Sequence, residues 1–194
     1  MAASKHPRAR LTSKSDKKTE LLTAICQGLA AYQAYLAVCK LHSVRSEYIF
    51  YEAIARIAQG NSYSVRCEYP LKSISKSKVG DKRRCDFVFS KDKKLFEKKF
   101  PDRAPDDAIA VKIKYITSIS KLKPLMLSNL KAKELKHCAK FCIGFGRADI
   151  IRQFTPNMGR SKFSVISPIK QPQAMESQGI RYAARWYSFE YAKK

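Results

Sequence analysis

The chain has 194 residues and sets 39 Lys and Arg against 16 Asp and Glu, a formal charge of +23. Apolar residues make up 45% and there are only 7 Gly and 8 Pro, which excludes a collagen-like chain or a long disordered tail and leaves enough for a packed core. No apolar run approaches the roughly 18 residues that span a bilayer, and the basic N-terminus lacks the apolar segment of a secretory signal. The expectation is one domain that is neither secreted nor membrane-bound, cytoplasmic or nucleic-acid-associated, with a polyanionic partner.

Residues 1–16 are basic, polar and without period, and read as a flexible arm ahead of a single α/β domain over 17–194. From Asp16, placed as an N-cap, Leu21, Leu22, Ile25, Leu29, Tyr32, Leu36 and Cys39 fall mostly at steps of three and four, the spacing of a helix. A second helix is expected from Ser43 or Ser46 to Gln59, stopped by Gly60 and Asn61. Its apolar stripe is Phe50, Ile54, Ile57 and Ala58, flanked by Tyr51. The period then changes to two, so Ser64–Pro70, Arg84–Ser90 and Ala108–Tyr115 read as strands. A helix from Ser118 or Ser120 to Cys138 follows, with Pro124 near its first turn, where proline is tolerated. Lys140–Phe145 reads as a fourth strand and Lys162–Ile166 as a fifth. The aromatic-rich Tyr182–Tyr191 fits an edge strand or a helix. Three strands in a meander and a helical crossover put the fourth strand parallel to the third, in a mixed sheet flanked by helices.

The six cysteines contain no CxxC pair, and the three histidines lack zinc-ligand spacing. His137, Cys138 and Cys142 form the one cluster that a structural metal could use, against the commoner role of buried free thiols. A Cys67–Cys85 bridge would join neighbouring strands, but reduced thiols are expected of a cytosolic protein.

Charges inside apolar elements carry the functional signal. Glu47 shares a helix face with Phe50, Tyr51, Ile54 and Ala58, where a carboxylate is costly without a partner or a task. Asp86 sits between Cys85 and Phe87, Glu68 is placed similarly one strand earlier, and Lys112 and Lys114 share one face of the third strand. Each has an ordinary explanation, such as a solvated face or a helix-dipole contact, but together they form an ordered pattern. A helix-borne Glu, a strand Asp after a basic loop and a strand with two spaced polar residues resemble the PD-(D/E)XK nuclease superfamily. The likeness is closest to its restriction-enzyme-like and resolvase-like members and covers roughly residues 44–146.

That resemblance implies a restriction-endonuclease-like αβββαβ core. It implies that Asp86 is the metal-binding aspartate, Lys114 the lysine of the tripeptide and Glu47 the helix glutamate. The tripeptide's acidic position is Lys112, however, so the motif reads K-I-K. Mg²⁺ requires hard oxygen ligands, and an ammonium at a ligand position opposes the cation by several kcal/mol. Two outcomes follow: Lys112 pairs with Asp86 and fills the metal's place, or Glu68 or Glu47 supplies the missing carboxylate and Mg²⁺ is retained with Asp86 and Glu68 as ligands. The first gives a binder without a cofactor, the second a metal-dependent DNA nuclease.

The basic charge is clustered. Lys72, Lys76, Lys78, Lys82, Arg83 and Arg84 face only Asp81 in one loop, and Lys121, Lys123, Lys131 and Lys133 follow the third strand. An excess of one sign favours phosphate contacts, so these residues are the expected nucleic-acid-binding set, with DNA the partner the resemblance implies. Arg181, Tyr182, Arg185, Trp186 and Tyr187 could stack on bases or simply pack. A homodimer and an acidic protein partner are the remaining partner alternatives.

Overall fold

The structure is a computed structural model, and it describes residues 14–41, 47–71, 84–93, 103–118, 130–154, 163–166 and 174–191. Helix α1 (Lys14–Val38) is followed by a 3-10 turn, Glu47–Phe50, that runs directly into α2 (Tyr51–Gly60). Strands β1 (Ser64–Pro70), β2 (Arg84–Ser90), β3 (Ile109–Ile116) and β4 (Ala139–Arg147) come next, then a short α3 (Ala148–Ile151). The chain closes with β5 (Phe163–Ile166), β6 (Met175–Ser177) and β7 (Ile180–Tyr191).

The result is a mixed α/β fold around one sheet of order β1-β2-β3-β4-β7-β5, with β6 also on β7. β1, β2 and β3 form the expected antiparallel meander, and β4 lies parallel to β3 as the crossover argument requires. β7 is an interior strand, antiparallel to β4 on one side and to β5 and β6 on the other. Tyr182, Trp186 and Tyr187 are therefore buried packing residues and are not available to stack on bases.

Both faces of the sheet are covered, which is why β4 reads as a continuous buried run and not an alternating one. On one face Phe87, Phe89, Val111, Ile113, Ile143 and Phe145 meet α1, the 3-10 turn and α2 through Leu21, Ile25, Leu29, Phe50 and Ile54. On the other, Val88, Ala110, Cys142 and Tyr187 are covered by Leu130, Leu135, Ile151 and Phe154. Within α1, the stretch Lys17–Val38 has the length and apolar content of a membrane span, more than its sequence reading allowed, and half of it is buried inside the fold. A helix wedged between a sheet and a second helix needs that composition.

Two expectations are corrected. The helix predicted to end at Cys138 is absent over its described part: Ala132 is extended (φ −56°, ψ 145°) and Lys133–Leu135 make one 3-10 turn. Leu130, Ala132, Leu135 and Cys138 all enter the second core layer, and an extended residue turns all four inward where one helical stripe would not. Residues 119–129 lie outside the described residues. The cysteines follow the expectation of reduced thiols: Cys67 and Cys85 form no bridge, and all six are free. The chain is already helical at Lys14, inside the expected arm, whereas residues 1–13 and the Asp16 side chain lie outside the description.

Gly146 pairs with Ile116 across the parallel ladder and has φ +156°. A Cβ there would press into the Ile116 carbonyl oxygen, which is backbone and cannot swing aside. Gly146→Ala is expected to cost about 2–3 kcal/mol, read as a lower urea midpoint with an unchanged slope.

Candidate functional site

The β2–β3 ladder joins Phe87 to Val111, Val88 to Ala110 and Phe89 to Ile109, and it ends there. Beyond it, the N–H groups of Ile113 and Tyr115 still point toward β2, because alternate residues of a strand bond to the same side. Two carboxylates replace the missing strand contacts. Asp86 Oδ2 accepts the Ile113 N–H at 2.8 Å, and Glu47 Oε1 accepts the Tyr115 N–H at 3.1 Å. Two ammonium groups of β3 then neutralise them: Lys112 Nζ contacts Asp86 Oδ1, and Lys114 Nζ lies 2.7 Å from Glu47 Oε1. The site is thus a zipper of two ion pairs along the end of β3.

The two pairs differ in burial. The side chains of Lys112 and Asp86 are 23% and 7% exposed, against 47% and 26% for Lys114 and Glu47. Burial pushes the Asp86 carboxyl above its ordinary range, opposed by the Lys112 ammonium and the Ile113 N–H. Burial alone would pull the Lys112 ammonium down, but the adjoining Asp86 carboxylate holds it above its ordinary value. Lys112 is therefore a charged, fixed cation at neutral pH.

Glu68 is held elsewhere. It adopts φ +51°, its Oε1 accepts the Tyr51 hydroxyl at 2.7 Å, and its Oε2 lies 4.0 Å from Arg84 Nη1. Burial raises the Tyr51 hydroxyl pKa, with further contributions from Asp86 and Glu68, so Tyr51 stands as a neutral donor among the carboxylates. The sequence placed Tyr51 beside the stripe without a role. The available signal was its one-turn spacing from Glu47 on the same face.

Glu47, Asp86, Lys112 and Lys114 therefore meet as expected, while Glu68 contacts Tyr51 and Arg84 and not Asp86. The residues present do not fit a Mg²⁺ site. Each carboxylate already accepts a hydrogen bond, and a cation on Asp86 Oδ1 would have to displace a bonded ammonium. Among the described residues no group of three or more His, Cys, Asp or Glu side chains is arranged to hold a metal, so His137, Cys138 and Cys142 do not form one either.

The three described members of the expected nucleic-acid set divide between the two ends of the sheet. Arg84 is exposed beside Glu68, whereas Lys131 and Lys133 are exposed at the end where β4 begins. Lys72, Lys76, Lys78, Lys82, Arg83, Lys121 and Lys123 lie outside the described residues. Comparison with protein-family models, with curated proteins and with solved structures finds no match for the chain.

Proposed function

We propose that this chain is a DNA-binding protein built on a PD-(D/E)XK-like fold, in which an internal ammonium stands where the nuclease resemblance puts a metal. The observation that carries the reading is the Lys112–Asp86 pair, with Ile113 N–H on the second oxygen of the same carboxylate. A net charge of +23 on 194 residues supplies the attraction for phosphates, with counterion release as its thermodynamic source. Part of the element order supports it as well: a Glu-bearing helix start, a three-strand meander and a parallel fourth strand, without the crossover helix over its described part. The relocated-carboxylate nuclease is the weaker reading, because Glu47 and Glu68 both have partners of their own.

The test is fluorescence anisotropy with a labelled duplex over a series of KCl concentrations, alongside plasmid incubation with Mg²⁺ or Mn²⁺. We expect binding in the micromolar range or tighter at about 100 mM KCl, a steep salt dependence, and intact plasmid. Metal-dependent cuts that Asp86→Ala abolishes would establish the nuclease instead. No binding even at low salt would leave the acidic protein partner as the surviving reading, and tighter binding to RNA would replace DNA as the ligand.

A further inference from the structure

The end of the sheet opposite the ion-pair zipper gathers cations from four separate parts of the chain, all exposed except the half-buried Lys18. Lys91 and Lys93 follow β2, and the Lys91 N–H is tied to Asp107 Oδ2 at 2.8 Å, just before β3. The Ala104 N–H bonds the Glu134 carbonyl at 2.9 Å, and the Ala139 N–H bonds the Ala108 carbonyl at 3.2 Å. Those two bonds bring Lys133 and Lys136 to the same end. Tyr182, which pairs with Arg147 at the zipper end, packs on Ala34 and Ala37 near the end of α1, so the start of that helix, with Lys18, lies toward this pole.

The local acids leave this pole positive. Glu134 is buried, Asp106 is paired to Arg103, and Asp107 is occupied by Ser90 and the Lys91 N–H, so exposed Asp92, between Lys91 and Lys93, offsets only part of the positive charge. Among the described residues Lys18, Lys91, Lys93 and Lys136 have no carboxylate within ion-pair distance. At the zipper end Lys112, Lys114 and Arg147 each contact a carboxylate of the chain. Lys17 and Lys18 also sit near the N-terminus of α1, where the helix dipole disfavours cations. An anionic partner would relieve that cost.

We propose that the DNA backbone docks on this pole, through Lys18, Lys91, Lys93, Lys133 and Lys136, and not at the zipper. This deepens the DNA-binding reading and rests on it. Two strand spacings separate the β2 side from the β4 side, about 10 Å. That width is close to a major groove of about 12 Å, so lysines on the two sides reach phosphates on its two walls. The pole lies roughly 20 Å along β3 from Lys114, so docking there leaves the ion pairs intact.

The experiment measures the affinity and salt dependence of the full chain for the same labelled duplex. The variants are Lys91→Glu/Lys93→Glu, Lys133→Glu/Lys136→Glu and, at the zipper end, Arg152→Glu, with melting curves to confirm folding. Each pole pair is expected to weaken binding at least about tenfold and to lower the log–log salt slope by about two. Arg152→Glu should stay within about twofold of wild type. Lys→Gln at the pole positions should give the same order with smaller losses, which guards against an effect of the new acids. If wild type binds but the pole pairs bind equally well, or Arg152→Glu loses as much, the pole is the wrong surface and the DNA-binding reading stands. If wild type does not bind at all, that reading falls and the pole with it.

Discussion

Lys112→Met is expected to destabilise the chain by about 3–5 kcal/mol at pH 7, because it leaves the Asp86 carboxylate buried without its counter-charge. Asp86→Asn strands the ammonium instead and should cost a similar amount, softened by an amide oxygen that still accepts the Ile113 N–H. The double variant Lys112→Met/Asp86→Asn removes both charges and is expected within about 1 kcal/mol of wild type. Urea unfolding of all four proteins gives the coupling energy, which these losses put at about 5 kcal/mol or more. Additive losses would mean that the two side chains do not act as a pair.

The pH dependence of this pair has a definite sign. The Asp86 carboxylate raises the Lys112 pKa in the folded state, so the ammonium's contribution is fully present below the unfolded value of about 10.4. It is lost as pH climbs through the folded value. Wild type should therefore lose stability above about pH 10 by an increment that the double variant lacks. Asp86 adds no loss on the acid side. Burial raises its carboxyl, so on acidification the folded chain takes up this proton before the unfolded chain does.

Elements with one dominant period were legible in the sequence. Ser64–Pro70 and Arg84–Ser90 are strands with the expected bounds, because alternation and flanking turn residues leave little choice of register. The pairing of Lys112 with Asp86 was legible as well, since neighbouring strands and like parity put both near one level of the sheet. What escaped depends on contacts distant in sequence. No periodicity announces that Ala132 is extended or that Glu68 has a positive φ. Nor could β7 be placed in the interior, because its burial is decided by β4, β5 and β6 on its two sides. The basic segments read as one set because sequence order does not say at which end of a sheet a loop emerges. Arg84 and Lys133 turned out to stand at opposite ends.

The sharpest consequence of the zipper concerns Lys112→Glu, which turns K-I-K into E-I-K. Without a cation, Asp86 then faces a second carboxylate in a buried setting, and Glu47 already acts on both positions. The like charges should destabilise the variant by several kcal/mol. They also create a pair of hard oxygen ligands of the kind a divalent cation needs. If Mn²⁺ binds with a dissociation constant of about 0.1 mM, a concentration of about 10 mM returns about 2.7 kcal/mol. For a chain of this size that raises the melting temperature by about 5–10 °C. Wild type and Lys112→Gln should show no such rise, because one retains the ammonium and the other supplies only a neutral amide. Thermal melts of the three proteins with and without Mn²⁺ decide the matter. An equal rise in wild type would show that its ammonium does not hold a cation's place. No rise in Lys112→Glu would show that Asp86 is not oriented to ligate, and the likeness of this site to a nuclease centre would then stop at sequence order.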